Sequence, residues 1–249
     1  MALRSWAAAA LVLLLPAASP ADKPSRPPVV VELFTSQGCA ACPAADKVLA
    51  ELDGRADVLA LSWAVDYWDY LGWPDSFAMR GNSLRQRAYN RSLGRQAVFT
   101  PQMVIDGRRQ LVGSRRKDVL AAVAAQAAQS GDKLEVRIDN ESGARMTVRI
   151  SGAVTKGSAV VRMLWFDRQR NVAVQRGENR GRTLTYTNIV RGDHVIGRFE
   201  GGALTLDLPM GDAHAMECDG LAVIVQADPV GPVLGADAVT LFHREKAQD

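Results

Sequence analysis

The segment VVVELFTSQGCAACPAADKVLAEL, residues 29–52, decides the fold because a β-strand pattern passes directly into a helical pattern. Val29 to Phe34 is a short β-branched and apolar run, typical of a strand that is covered on both faces. Ala44 to Leu52 then has apolar residues at helical spacing. Cys39 and Cys42 stand between the two patterns, so the sequence predicts a Cys-x-x-Cys pair at the start of a helix.

Such a position favours thiol chemistry at Cys39. The unpaired N–H groups of a helix amino terminus stabilise a thiolate. A fall in its pKa from about 8.5 to about 7 would raise the thiolate fraction at neutral pH from roughly 3% to roughly 50%. Cys42, one turn later, would then resolve a mixed disulfide. A reactive dithiol is therefore the first of three interpretations.

A structural disulfide and a metal site are the other two interpretations of the pair. Zinc would need two more ligands, and only Cys218 and three scattered histidines are available. Copper(I) needs no more than two thiolates, so it is the more credible metal. The spacing alone leaves all three interpretations open.

The order of elements strengthens the interpretation of a reactive dithiol. A second strand is predicted at Val58 to Val65, a helix at residues 83–93, a hairpin that turns at Asp106-Gly107, and an alanine-rich helix at residues 115–129. The hairpin's first strand begins at a Thr-Pro pair, Thr100 and Pro101. The amino-terminal half is thus predicted as β-α-β-α-β-β-α.

Several motifs of the chain resemble known families. ELFTSQGCAACP is similar to the active-site segment of thioredoxins and glutaredoxins, and TPQMVIDG is similar to the cis-proline strand and turn of that superfamily. Together, VELFTSQGCAACPAAD, VDYWDYLGWPDSFA, RQRAYNRSLG, VFTPQMVIDG and RGENRGRTLTYTNIVR resemble a bacterial secreted family catalogued as domain of unknown function 1223. The resemblance implies an α/β thioredoxin-like domain with a carboxy-terminal β extension.

The resemblance also implies roles for individual residues. Cys39 takes the place of the nucleophile, Cys42 that of the resolving cysteine, and Pro101 that of the cis-proline. The dipeptide Ala40-Ala41 between the cysteines differs from those of thioredoxin, glutaredoxin and the strong periplasmic oxidants, so the direction of exchange stays open.

Three further residues are predicted to belong to the site. Glu32 lies near the position of the buried acid that relays protons in thioredoxin, although a solvent-facing acid at the strand end is an equal alternative. The backbone of Thr100 is expected beside Cys39, where a substrate strand could pair. Trp68 belongs to the aromatic loop DYWDYLGW, which either lines a substrate groove or packs on the sheet.

Residues 132–249 are predicted to form a separate antiparallel β-domain, similar to a sandwich, after an α/β domain at residues 22–131. The expectation is that this β-domain adds recognition rather than chemistry. Its segment RGENRGRT, residues 176–183, is either a plain hairpin turn or a contact to the first domain or to a partner. Cys218 is either a bystander or a third redox residue.

The first 21 residues, MALRSWAAAALVLLLPAASPA, predict a secretory signal peptide. One basic residue, Arg4, precedes an apolar run, and small residues at Ser19 and Ala21 suit a cleavage site. The run is only about half the ~20 residues of a membrane span. We therefore expect a periplasmic or secreted protein without a transmembrane segment.

Charge is unevenly distributed along the chain. Seven acidic residues against two basic ones lie between Cys39 and Met79, and ten basic residues against Asp106 alone lie between Arg80 and Lys117. The basic stretch either meets an anionic partner or is a solvated face balanced by the acidic stretch. Neither zinc-finger spacing nor an RNA-binding aromatic motif accompanies it, which argues against nucleic acid.

The function predicted from these observations is an exported thiol-disulfide oxidoreductase that acts on protein disulfides. Its partners would be protein thiols or disulfides and a redox partner protein, and it would need neither an organic cofactor nor a metal. The alternative is a copper(I)-binding protein or a non-catalytic protein-binding module of the same fold.

Overall fold

The structure is a computed structural model that describes residues 26–129, 133–141, 145–155, 157–208 and 218–241. The predicted signal peptide and the predicted domain boundary after residue 131 lie outside these residues. The helices are α1 (Cys42–Asp53), α2 (Arg80–Ser92) and α3 (Arg116–Ala127), and a short 3₁₀ turn spans Asp69–Leu71. The strands are β1 (Val29–Thr35), β2 (Val58–Ala64), β3 (Gln102–Ile105), β4 (Arg109–Val112), β5 (Glu135–Glu141), β6 (Arg145–Gly152), β7 (Ala159–Ala173), β8 (Thr183–Phe199), β9 (Gly202–Asp207), β10 (Gly220–Ala227) and β11 (Val233–Thr240).

The amino-terminal half has the predicted order of strands and helices. Strand β1 lies parallel to β2 and antiparallel to β3, which forms a hairpin with β4. Ala45 of α1 and Val119 of α3 pack in one core with Leu33, whereas Tyr89 of α2 packs in another with Phe34. Every residue of β1 is buried, as expected for a strand with helices on both faces. None of the described helices is long and apolar enough to cross a bilayer.

One sheet runs through both halves of the chain. Its strand order is β11-β10-β7-β8-β2-β1-β3-β4, and β2 pairs in parallel with β8 at Ser62 and Ile189. The Ser62 hydroxyl donates to the carbonyl oxygen of Thr187 at 2.8 Å. The predicted fold class, an α/β thioredoxin-like domain followed by an antiparallel β-sandwich-like domain, is therefore wrong. In the described residues, strands predominate and eight of them share one mixed sheet.

A second, three-stranded sheet with the order β5-β6-β9 packs on the carboxy-terminal part of the large sheet. Val136 and Ile150 of this small sheet share an apolar core with Trp165 and Val223 of the large one. Nearby, Lys133 forms a buried ion pair with Asp106 of the β3–β4 turn at 2.7 Å. The two halves are thus joined by backbone pairing, by apolar packing and by a buried charge pair.

Candidate functional site

Cys39 and Cys42 form a disulfide at the amino terminus of α1. Their Cα atoms are 5.4 Å apart, and the backbone N–H of Cys42 donates to the carbonyl oxygen of Cys39 at 3.1 Å. The tight turn arises because Cys42 is the first residue of the helix. Cys39 is 2% exposed and Cys42 is 0% exposed, so the oxidised pair is closed to solvent.

A hairpin from the carboxy-terminal half contacts the loop that carries the cysteines. The side-chain amide of Asn179 donates to the carbonyl oxygens of Gln37 and Cys39, both at 2.9 Å. A carboxylate oxygen of Glu178 accepts from the backbone N–H of Ala40, between the cysteines, at 3.1 Å. Asn179 is fully buried. The RGENRGRT segment is therefore a contact to the amino-terminal half as well as a turn between β7 and β8.

The carboxy-terminal half thus helps to build the site, contrary to the expectation that it adds recognition alone. We call residues 176–182 the site hairpin. Two of its glycines, Gly177 and Gly181, have φ angles of 75° and 80°. Glycine adopts this left-handed region without the steric cost that a Cβ atom brings, which lets the chain turn sharply on both sides of Asn179.

Trp68 links the cysteine loop to the Thr100-Pro101 segment. Its indole N–H donates to the Thr100 hydroxyl at 2.8 Å. A Cβ atom added at Gly38 would lie 3.0 Å from the Cβ of Trp68, so the residue before Cys39 is held against this tryptophan. The Thr100-Pro101 peptide bond is cis, as predicted. The structure therefore brings Cys39, Cys42, Trp68 and Thr100 into one neighbourhood.

The aromatic loop mainly packs on the site and on the sheet. The indole N–H of Trp73 donates to the side-chain oxygen of Gln37 at 2.8 Å. A carboxylate oxygen of Asp75 accepts from the backbone N–H of Gln37, also at 2.8 Å. Within this loop, Tyr70 is 78% exposed. Packing is thus the main role of the loop, and its hydrogen bonds hold Gln37, two residues before Cys39.

A buried carboxyl group lies one helical turn after Cys42. Asp46 and Cys42 are four residues apart on α1 and both are buried, so they share the inner face of the helix. The Thr35 hydroxyl donates to Asp46 at 2.9 Å. Burial raises the pKa of Asp46 to about 8, and the negative charge of Asp75 adds to this effect. Asp46 can therefore hold or release a proton near neutral pH.

Asp75 and Tyr186 are two further buried, ionisable residues that interact with Asp46. Burial raises the pKa of Asp75. The hydrogen bonds that it accepts from the backbone of Gln37 and Phe77 lower this pKa, but burial is the larger effect. Burial also raises the pKa of Tyr186, and the charges of Asp46 and Asp75 raise it further. The Tyr186 hydroxyl is buried and has no hydrogen-bond partner among the residues described. The buried surroundings of Asp46, Asp75 and Tyr186 therefore favour neutral, protonated side chains.

Glu32 lies on the other face of the sheet. It has the same parity on β1 as Phe34, which packs on the α2 side, so its side chain points away from α1. Its carboxylate accepts two hydrogen bonds from Arg85, at 2.6 and 3.0 Å, and one from the Tyr89 hydroxyl. Gln226 of β10 bonds to the same arginine and tyrosine. These contacts describe a buried ion pair within the amino-terminal half, which Gln226 links to the carboxy-terminal half, and none of them reaches a cysteine.

Cys218 lies in a different core from the Cys39–Cys42 pair. It is buried in the core between the two sheets, and burial raises the pKa of its thiol to about 11. A thiolate is therefore scarce there at neutral pH. Within the described ranges, no group of three or more His, Cys, Asp or Glu side chains could hold a metal ion.

The sequence interpretation missed Asp46, Asp75 and Tyr186 as site residues. A signal for Asp46 was present, because an aspartate four residues after Cys42 falls on the apolar face of the predicted helix. Asp75 and Tyr186 gave no such signal, since both reach the site only through long-range packing of a loop and of β8.

Comparison with known proteins identifies relatives of the chain. The family model described as protein of unknown function (DUF1223) matches residues 30–226. A crystal structure of a protein from Agrobacterium tumefaciens is 32% identical, with a TM-score of 0.74, and the match covers 87% of this chain and 97% of that one. HBP35 of Porphyromonas gingivalis, 13% identical with a TM-score of 0.58, is similar in fold over 88% of this chain and 77% of its own. No curated protein matches the chain significantly.

Proposed function

The chain belongs to the DUF1223 family of proteins of unknown function, and on the geometry of its cysteine site we propose that it is a thiol-disulfide oxidoreductase. One observation carries the proposal: the disulfide sits at the start of a helix with a buried carboxyl group of raised pKa one turn behind it. From the predicted leader we propose a location in the periplasm or outside the cell, where protein disulfides persist.

In the first step, the Cys39 thiolate of the reduced protein attacks one sulfur of a target disulfide. A bond forms between Cys39 and that sulfur, the target disulfide breaks, and its other sulfur leaves as a thiolate that takes a proton. The amino terminus of α1 favours the negative charge on Cys39 before attack. Cys39 is the proposed nucleophile because it precedes the helix, whereas Cys42 is enclosed within the first turn.

In the second step, Cys42 loses its proton to the carboxylate of Asp46 and attacks the Cys39 sulfur. The Cys39–Cys42 disulfide forms, the bond between Cys39 and the target sulfur breaks, and that sulfur leaves as a thiolate that takes a proton, so the target is released as a dithiol. A pKa of about 8 lies close to the usual thiol value of about 8.5, so this proton transfer is nearly balanced in free energy. We therefore move the acid-base role predicted for Glu32 to Asp46. In the reverse direction the same groups would oxidise a target.

Thr100, Pro101 and Trp68 form the proposed substrate contact. Trp68 fixes the Thr100 side chain through the hydrogen bond at 2.8 Å, which leaves the backbone before Pro101 as a place for an extended chain. Because Cys39 is only 2% exposed, a target must displace part of the site hairpin or of the tryptophan loop before attack.

The same burial favours a second candidate, in which the disulfide is an inert staple of a non-catalytic binding protein. The reduction potential of the pair separates the two, because exchange catalysts lie at about −120 to −270 mV and structural disulfides below about −300 mV. Equilibration with glutathione or dithiothreitol, read by thiol labelling and mass spectrometry, gives this value. A potential below about −300 mV would refute the oxidoreductase proposal.

Trapping tests the order of attack independently. A Cys42→Ser variant should accumulate a mixed disulfide between Cys39 and a small disulfide such as hydroxyethyl disulfide, because the resolving thiol is absent. A Cys39→Ser variant should not accumulate one at Cys42. Equal trapping at Cys42 would reverse the proposed roles.

The copper(I) alternative predicts instead that the reduced protein holds one copper ion against a competing chelator.

A further inference from the structure

Few charges of the basic stretch, Arg80 to Lys117, are paired with carboxylates among the described residues. Within the part of the chain that the structure describes, the only ion pair that joins it to the preceding acidic stretch is Arg116 with Glu51. Arg85 pairs with Glu32 instead, and none of the other eight basic residues forms an ion pair with a carboxylate of the described residues. The acidic residues bond elsewhere, to Thr35, Arg55, Ser83, Asn188 and backbone N–H groups. Balance between the two stretches therefore does not explain the basic charge.

Four of these arginines line one groove. It has two sections of about 460 and 520 Å³ that share Arg95, and one carboxylate, Asp118, lines the first of them. Apolar side chains line the groove together with the cationic ones. We call it the arginine groove, lined by Arg87, Arg91, Arg95, Arg115, Phe99 and Leu111.

The arginine groove runs beside an edge strand of the large sheet, as far as the described residues show. Strand β4 is the last strand in the sheet order, and its residues 110–112 line the groove. An edge strand presents backbone N–H and C=O groups that an added strand can use. An extended polypeptide satisfies these groups, which neither a nucleic acid nor a lipid headgroup does.

The groove also leads to the cysteine site. Phe99 in its wall precedes Thr100, whose hydroxyl accepts the hydrogen bond from Trp68. Trp68 in turn lies against Gly38, the residue before Cys39. A polypeptide that follows the groove toward Thr100 is therefore directed at the disulfide.

We infer that the arginine groove docks an extended, acidic polypeptide segment that flanks the reacting disulfide or thiol of the partner. This inference rests on the proposed function for the identity of the reacting group, but the docking itself does not depend on exchange. Arginine suits the task because its guanidinium group bonds to carboxylates in a bidentate manner.

Exchange with charged peptides tests the inference. Three synthetic peptides share one internal disulfide and carry four aspartates, four serines or four lysines beside it. The reduced protein should reduce the aspartate peptide at least about tenfold faster than the lysine peptide at low ionic strength, and added salt should shrink the ratio. Equal rates for the three peptides, with normal reduction of hydroxyethyl disulfide, would overturn the inference and leave the proposed function intact.

Direct binding keeps the inference testable even without exchange. A fluorescent aspartate-rich peptide without cysteine should bind the oxidised protein, as measured by anisotropy, and the double variant Arg91→Glu, Arg95→Glu should weaken binding about tenfold or more. The matched control is Arg80→Glu, Arg168→Glu, which makes the same change in net charge outside the groove and should have less than a threefold effect. Equal loss in both variants, or equally tight binding of a single-stranded oligonucleotide, would refute a polypeptide-docking groove.

Discussion

The side-chain amide of Asn179 donates a hydrogen bond to the backbone carbonyl of Cys39 across 140 residues of sequence. The same amide bonds to Gln37, so one buried side chain holds both ends of the segment that precedes α1. Because this asparagine lies in the site hairpin, the geometry of the disulfide depends on the packing of the carboxy-terminal half against the amino-terminal half. This dependence makes the hairpin the first target for mutation.

Asn179→Ala should loosen the cysteine loop without removing a reactive group. The change leaves two buried carbonyl oxygens without their donor, which costs about 1 to 3 kcal/mol in the free energy of unfolding. We expect faster alkylation of the reduced protein and a changed reduction potential, measured by thiol labelling. Asn171→Ala is the control, because Asn171 is exposed near the same hairpin and its side chain accepts a hydrogen bond from the Thr185 hydroxyl instead of contacting the cysteine loop. An identical response of both variants would contradict a specific role for Asn179.

Glu178→Gln should make Cys39 more acidic. The Glu178 carboxylate accepts a hydrogen bond from the N–H of Ala40, the residue after Cys39, so a negative charge there opposes the formation of the Cys39 thiolate. Charge effects at a helix terminus amount to about 0.3 to 1 kcal/mol, which corresponds to roughly 0.2 to 0.7 pKa units. Alkylation rate against pH in a Cys42→Ser background measures the shift. Glu200→Gln, a substitution of an exposed residue between β8 and β9, should not change the pH profile. A raised pKa of Cys39 in Glu178→Gln would refute the interpretation.

Asp46 should make the stability of the oxidised protein fall as pH rises. In the unfolded chain an aspartate ionises near pH 3.9, whereas the folded state keeps its proton up to a pKa of about 8. Between these values the native state binds more protons than the unfolded state, so the free energy of unfolding decreases with pH. Asp46→Asn removes this decrease and should stabilise the protein at pH 8 by roughly 2 kcal/mol or more, with little change near pH 4.

Denaturant unfolding of the oxidised protein between pH 4 and pH 8.5 measures the difference between wild type and Asp46→Asn, and the disulfide keeps Cys39 and Cys42 from titrating. Asp75→Asn should remove only part of the decrease, because burial is the larger cause of the shift. A difference between wild type and Asp46→Asn that does not vary with pH would show that Asp46 ionises normally.

Substitutions of Glu32 and of Asp46 should have different effects on the rate of thiol-disulfide exchange and on its pH profile. Asp46→Asn should slow the resolution of a mixed disulfide by about 100-fold, a usual loss for a missing acid-base group. Glu32→Gln breaks a buried ion pair and should cost about 3 kcal/mol of stability, yet leave the pH profile of exchange unchanged. If the single variant does not fold, the double variant Glu32→Gln, Arg85→Gln removes the unpaired charge. A pH profile altered by Glu32→Gln would restore the role first predicted for it.

The local signals in the sequence determined the first half of the molecule element by element. The apolar run at Val29 to Phe34, the helical spacing after Cys42 and the turn at Asp106-Gly107 each specify a strand, helix or hairpin within a few residues. The pairing of Cys39 with Cys42 and the cis bond at Thr100-Pro101 were also predictable, because they follow from short motifs. Strand β11 has no comparable local signal, since Val233–Thr240 contains few residues with a strong strand preference.

Only the tertiary structure decided how the two halves combine. Alternation along β7 and β8 predicts strands but not their partners, so neither the parallel pairing of β8 with β2 nor the continuous sheet was visible in the sequence. Glu32 and Asp46 are both acids in apolar surroundings, and the sequence does not reveal which face of the sheet each one occupies. Asn179 reaches Cys39, and Tyr186 approaches Asp46, through contacts between residues more than a hundred positions apart. Such contacts depend on the packed shape of the whole chain, which no local pattern encodes.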